Sequence, residues 1–147
     1  MANSSVRLAY REDLKAMHRV ESECFAAPWS YEAFEENFYN PFSIYTLAES
    51  DDEVVGFGGM QVIFDEAHIM NIAVLPSHRR QGLASDLLKL MIDEARARKA
   101  VIMFLEVRAS NVPAQTLYKK FGFEPMGVRK QYYSDNNEDA VIMTLNL

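Results

Sequence analysis

The chain has 147 residues, a single cysteine, 49% hydrophobic and 24% charged residues, and a formal net charge of −6 at neutral pH. That length suits one domain able to bury a core without staples, and the lone Cys24 excludes an internal disulfide or a cysteine-rich metal site. The negative charge argues against non-specific nucleic-acid binding and is compatible with a basic target; no signal-peptide core follows Met1 and no run approaches the roughly 20 apolar residues of a membrane span, so a cytoplasmic protein is expected.

Val6 to Ala9 reads as a short first strand. Asp13 can charge the start of a helix in which Leu14, Met17, Val20 and Cys24 share a face. That helix gives out at Phe25-Ala26-Ala27-Pro28, and Ser30 is a good N-cap for a second, short helix marked by Ala33, Phe34 and Phe38. Between the two lies Trp29, the only tryptophan. It can plug the end of a core or line a binding cleft. Asn40-Pro41 makes a turn. Ser43 to Glu49, Val54 to Ile63 and Ala67 to Val74 then read as three meandering strands joined by polar turns. Gly56, Gly58 and Gly59 loosen the middle one, and glycines inside a strand mark a bulge or the close approach of another backbone.

Pro76 ends the third strand because it lacks an N–H for the ladder. Arg79, Arg80, Gln81 and Gly82 form a basic turn. From Leu83 onward Ala84, Leu87, Met91 and Ala95 recur at helical spacing. Backbone N–H groups at a helix start, with arginines beside them, suit a phosphate-type anion, and Gly82 lets that backbone approach a ligand closely. The turn lacks the Gly-Lys-Ser/Thr of a nucleotide-hydrolase loop and the three glycines of a dinucleotide fingerprint. A solvated turn capping an ordinary helix is the bland alternative.

The apolar run Val101 to Arg108 suits a central strand covered on both faces. Ser110-Asn111 caps a further helix with Ala114, Leu117, Tyr118 and Phe121 on one face, and Gly122 closes it. Phe123 to Val128 and Val141 to Leu145 read as closing strands. The order predicts a single α/β domain with a mixed sheet. Ligands of open α/β sheets bind where strands end and helices begin. Two such ends, Val74 to Gly82 and Glu106 to Asn111, make a cleft if their strands are neighbours. Glu106 can then act as a general base and Tyr118 as a general acid. Alternatively Glu106 merely pairs with Arg108 or Arg129, and Tyr118 is a core aromatic. His68 and His78 are further candidate bases in principle.

Arg79-Arg80-Gln81-Gly82-Leu83-Ala84 resembles the acetyl-CoA motif of the GCN5-related N-acetyltransferase (GNAT) superfamily, Arg/Gln-x-x-Gly-x-Gly/Ala. Asn71 to Val74, Leu105 to Asn111, Leu117 to Phe123, Pro28-Trp29-Ser30, Arg129 to Tyr133 and Glu138 to Met143 more narrowly resemble the bacterial ribosomal-protein-alanine N-acetyltransferases, the RimI family. The resemblance covers nearly the whole chain. It implies a GNAT-type domain over residues 1–147, with about seven strands in a mixed, mostly antiparallel sheet, about four helices and splayed central parallel strands. It implies acetyl-CoA as co-substrate and no metal. The backbone of Ile72, Ala73 and Val74 would pair with the pantetheine arm. Arg80, Gln81, Gly82, Leu83, Ala84 and Ser85 would wrap the pyrophosphate, and Asn111 would touch the cofactor. Glu106 would be the base, directly or through water, and Tyr118 the acid, while His68 and His78 fall on no functional position of the family and would be structural or surface residues. Trp29 and the Tyr132-Tyr133 loop would wall a peptide channel for the N-terminus of a ribosomal protein. A broader N-terminal or small-amine acetyltransferase, and a non-catalytic acyl-CoA-binding module, are the rival readings.

Overall fold

The computed structural model describes residues 3–147. The elements follow in the order β1 (Ser4–Leu8), α1 (Leu14–Cys24), α2 (Tyr31–Phe38), β2 (Ser43–Ser50), β3 (Glu53–Ile63), β4 (Glu66–Val74), α3 (Leu83–Ala97), β5 (Ile102–Arg108), α4 (Val112–Lys120), β6 (Glu124–Arg129) and β7 (Ala140–Asn146). All seven strands join one sheet in the order β1-β2-β3-β4-β5-β7-β6. Every pairing is antiparallel except that of β4 with β5.

Helices cover both faces because the strands alternate. On one face α3 packs Leu88, Met91, Ile92 and Ala95 against Met60, Ile69, Met103 and Leu105, with Tyr118 and Phe123 closing the far end. On the other, Leu14, Met17 and Val20 of α1 and Phe34 of α2 pack on Tyr45, Leu47 and Phe57. The Ser30 hydroxyl accepts from the Ala33 N–H at 3.2 Å and starts α2, as its residue type predicts. The central strand β5 departs from expectation. Met103, Leu105 and Val107 are buried, whereas Phe104, Glu106 and Arg108 are only partly so, and the strand begins at Ile102, after the exposed Val101. One face of β5 is core, and from the other Arg108 reaches a cleft.

Two features open that cleft. The parallel pairing of β4 with β5 runs only over Glu66–Ile102, Ala67–Met103 and His68–Phe104, after which the two strands continue without pairing to each other. The register of β3 with β4 shifts between Gly59–Asn71 and Met60–Ile69, which leaves Met70 as a bulge. A bulge bends its strand and adds twist, which carries β4 away from β5. It also inverts side-chain parity. Ala67 and Ile69 face α3 before it, whereas Ile72 and Val74 pack on that side after it. Asn71 and Ala73 are thereby turned toward α1, the side His68 already faces. Gly56 makes the close approach expected of a strand glycine: a Cβ there would lie 2.8 Å from the Ala73 carbonyl oxygen.

Candidate active site

The cleft between the diverging strands has a volume of about 550 Å³. One wall is the α1–α2 segment with Pro28 and Trp29, the other the β6–β7 loop with Tyr133 and Glu138, and Asn71 and Arg108 reach it from the two strands. Trp29 is 41% exposed, yet its backbone is held at both ends. Its N–H donates to Glu21 Oε2 at 2.8 Å, and its carbonyl oxygen lies 2.7 Å from His18 Nε2. Tyr133 is fixed by the Arg108 guanidinium, stacked 4.0 Å from its ring centroid. Burial pushes the Tyr133 hydroxyl up to about 12, against the pull of Arg108. Its neighbour Tyr132 does not line the cleft; it stands edge-on to Tyr133 and is 45% exposed.

Glu106 lies at the base of the split. Its side chain is 8% exposed, and a carboxylate so buried requires partners. Of the two partners open from the sequence, Arg129 is present, with Nε 3.8 Å from Oε1. Arg108 instead turns to the β6–β7 loop, donating to Asp135 at 2.9 Å and to Glu138 at 3.4 Å. The shorter contact of Glu106 is with His68, whose Nε2 lies 2.7 Å from Oε2. Tyr118 is buried at 8% exposure on α4, edge-on to Phe123, and burial pushes its hydroxyl up to about 12, with Tyr133 adding to the shift. Such a phenol keeps its proton through the neutral range.

Glu21 was hidden in the sequence. It sits on α1 beside Val20, is 2% exposed, and lines the cleft. It accepts from the Trp29 N–H and from Asn71 Nδ2 at 3.1 Å. Burial raises its pKa above the ordinary carboxylate value, opposed by those two hydrogen bonds. Its surroundings in the sequence, Glu21-Ser22-Glu23, look like a solvated face, and no local signal separates Glu21 from Glu23.

The strand end and turn after it are built for an elongated anionic ligand. Ile72, Ala73 and Val74 lie on the part of β4 that has left β5, so their backbone edge faces the split. The following turn takes left-handed φ at Arg80 (+65°) and Gly82 (+80°). Alternating left-handed residues turn successive N–H groups toward one concavity. Gly82 is the N-cap of α3, no side chain caps that helix, and nothing lies within 4 Å of where a Gly82 Cβ would stand. The first N–H groups of α3 are thus left for a ligand. Leu83 is buried and offers only its backbone, whereas Arg80 and Gln81 are exposed and Ala84 and Ser85 partly so. Arg79 folds back instead, its Nε donating to the Val74 carbonyl at 2.9 Å. The Asn111 side chain accepts from the Ala114 N–H at 3.2 Å and caps α4. An unpaired strand edge that runs into a turn with free helix-start N–H groups suits an extended ligand with a phosphate-type anion at one end.

Residues 14–123 match the Acetyltransferase (GNAT) family. The Escherichia coli ribosomal protein bS18-alanine N-acetyltransferase is 40% identical over 135 residues, 90% of each chain. The enzyme of that name from Salmonella typhimurium is 38% identical over 144 residues, 97% of each chain. The crystal structure of the Escherichia coli ribosomal-protein-S18-alanine N-acetyltransferase matches with a TM-score of 0.90 at 36% identity, covering 98% of this chain and 94% of that one. The fold also recurs in Arabidopsis thaliana Naa50, solved with a bisubstrate analogue, at a TM-score of 0.85 and 22% identity, covering 98% and 99%. The chain therefore belongs to the GNAT acetyltransferase family and is an acetyl-CoA-dependent N-acetyltransferase.

Proposed function

We propose that this protein acetylates the N-terminal α-amine of a ribosomal protein that begins with alanine, in the cytoplasm, as a single N-acetyltransferase domain spanning residues 1–147. The observation that supports the reading is the two-walled slot between Trp29 and Tyr133, with Tyr133 close enough to the buried Glu106 to feel its charge. A chain terminus enters such a slot end-on, whereas an internal lysine requires an open groove. The names of the relatives over nearly the full chain point to the same acceptor.

Acetyl-CoA supplies an activated thioester when bound. The backbone of Ile72, Ala73 and Val74 pairs with the pantetheine arm, and an N–H of that strand polarises the thioester carbonyl. Backbone groups from Arg80 to Ser85 hold the pyrophosphate, and Asn111 offers a further polar contact at the start of α4. Glu106 takes a proton from the acceptor ammonium, the nitrogen lone pair so freed attacks the carbonyl carbon, and the nitrogen gives its second proton to water as the tetrahedral adduct collapses to the amide. An α-amine has a reference pKa near 8, so only a modest driving force is asked of the carboxylate. As the carbon–sulfur bond breaks, Tyr118 donates its proton to the departing thiolate and is restored from solvent. Trp29 and Tyr133 hold the acceptor chain, with Tyr132 backing Tyr133. Positioning and carbonyl polarisation supply most of the rate.

The test is a competition of acceptor peptides followed by mass spectrometry. Peptides with the N-terminal sequences of ribosomal proteins beginning with alanine are expected to be acetylated at the α-amine ahead of free amines and of lysine side chains. Equal rates for free small amines would sink the assignment.

A further inference from the structure

Resting on the reading of Glu106 as the base, we infer that His68 is the positioning residue that holds its carboxylate in working order. His68 occupies the last paired rung of β4 with β5, directly opposite Phe104. The two rings stack face to face, 4.4 Å between centroids and 7° between planes. Glu106 lies two residues beyond Phe104 and so on the same face of β5, a diagonal neighbour of His68 within reach of a long side chain. The imidazole, locked against Phe104, reaches across the vertex of the split to Oε2 of Glu106 at 2.7 Å. A contact that short between a carboxylate oxygen and a ring nitrogen requires a shared proton. With Glu106 ionised, Nε2 donates to Oε2. That leaves Oε1 as the basic face, with Arg129 on β6 3.8 Å away.

The geometry assigns His68 more than charge pairing. Glu106 has rotatable torsions, and β4 and β5 no longer pair beyond the His68–Phe104 rung to confine them. One carboxylate oxygen tied to a ring that is itself stacked fixes the other in direction. His68 is the more open partner, with its side chain 35% exposed against 8% for Glu106. The other charged or titratable groups that bear on Glu106 are Arg129 from β6 and Tyr133 from the β6–β7 loop. The β3 residue paired with His68 is the uncharged Gln61.

Steady-state kinetics of His68→Ala, His68→Gln, Glu106→Gln and the double variant Glu106→Gln/His68→Ala test this on the full chain with acetyl-CoA and an alanine-starting peptide. A misdirected base costs roughly ten- to a hundredfold in turnover. His68→Ala is expected to lose that much in kcat while the KM for acetyl-CoA is unchanged, which also shows that the variant folds. His68→Gln, whose amide N–H reaches the same oxygen, is expected to regain most of the loss, a rescue that mere space-filling would not produce. In the Glu106→Gln background, His68→Ala is expected to add nothing. Wild-type kcat in His68→Ala, no rescue by Gln, or a full further loss in the double variant would each overturn the inference while the base reading stands. Wild-type turnover in Glu106→Gln would overturn the base reading itself, and this inference with it.

Discussion

The side-chain amide of Asn71 donates to the buried Glu21 carboxylate at 3.1 Å and so fastens α1 to β4 just beyond the Met70 bulge. The other carboxylate oxygen holds the Trp29 N–H. One buried acid therefore sets the distance between the Trp29 wall and the strand expected to carry the thioester. In Glu21→Ala both donors lose their partner, at a cost of about 1–3 kcal/mol each where the donor stays buried. The expected outcome is a lower melting temperature together with a raised KM for the acceptor peptide. The KM for acetyl-CoA should rise less, because the Arg80–Ser85 turn does not touch Glu21 and only the adjoining β4 segment feels the change. Thermal melts and two-substrate kinetics check the split.

Two glycines serve the same ligand in different ways and should fail differently. At Gly56 an added Cβ meets the Ala73 carbonyl oxygen at 2.8 Å. That neighbour is backbone, so Gly56→Ala must push β4 outward, at roughly 1–3 kcal/mol. At Gly82 the Cβ meets nothing within 4 Å, and the penalty is the left-handed φ of +80° alone, about 1–2 kcal/mol for alanine. Relief of that strain would move φ out of the left-handed region and turn the N–H groups of the loop away from a bound anion. Gly82→Ala is expected to raise the KM for acetyl-CoA about tenfold, the equivalent of about 1.4 kcal/mol, with a modest loss of stability. Gly56→Ala should show the reverse emphasis, and denaturation beside kinetics separates the two.

Tyr118 gives a pH signature. Its hydroxyl titrates near 12 in the fold and near 10 in an unfolded chain. Between those values the folded chain keeps a proton that the unfolded chain releases. Stability from this group is therefore full below pH 10 and falls as pH rises to 12, by roughly 3 kcal/mol in total. Tyr118→Phe should abolish that part of the alkaline loss. It should also slow turnover on the order of a hundredfold, the scale of a lost general acid. Urea melts at pH 9 and pH 11 and a kcat measurement read both effects.

The strand, basic turn and helix around Gly82 are legible in the sequence because their signals are local: a proline that ends a strand, a glycine at a left-handed N-cap, and an apolar stripe at helical spacing. The splay of the central strands, by contrast, came with the family resemblance, and its cause is visible only in space. Met70 is an ordinary residue to find at a bulge, with no glycine or proline to announce it. Period-two reading carried past Ile69 puts Asn71 on the α3 side, whereas it faces Glu21. His68 and Glu106 are 38 residues apart, and only the parallel rung at His68–Phe104 brings them together. Tyr132 and Tyr133 look equivalent as a pair, and it is the Arg108 guanidinium that selects Tyr133 for the cleft.

Arg108 is expected to govern the acceptor side as Gly82 governs the cofactor side. From the end of β5 it donates to Asp135 at 2.9 Å, Asn136 at 3.2 Å and Glu138 at 3.4 Å, and its guanidinium lies over the Tyr133 ring. Glu138 in turn accepts from the Ser110 N–H at 2.7 Å, so the loop is anchored to the β5–α4 connection. The Arg108–Asp135 pair is partly exposed and worth little alone. The planar fork matters more, because it meets several acceptors and an aromatic face at once. Lysine carries the charge but not the fork. Arg108→Ala and Arg108→Lys should therefore both raise the acceptor KM several-fold and leave the melting temperature within a few degrees, with the KM for acetyl-CoA unchanged. A lysine variant with wild-type acceptor KM would show that charge alone holds Tyr133 in place, and the assignment of the loop to Arg108's geometry would fall.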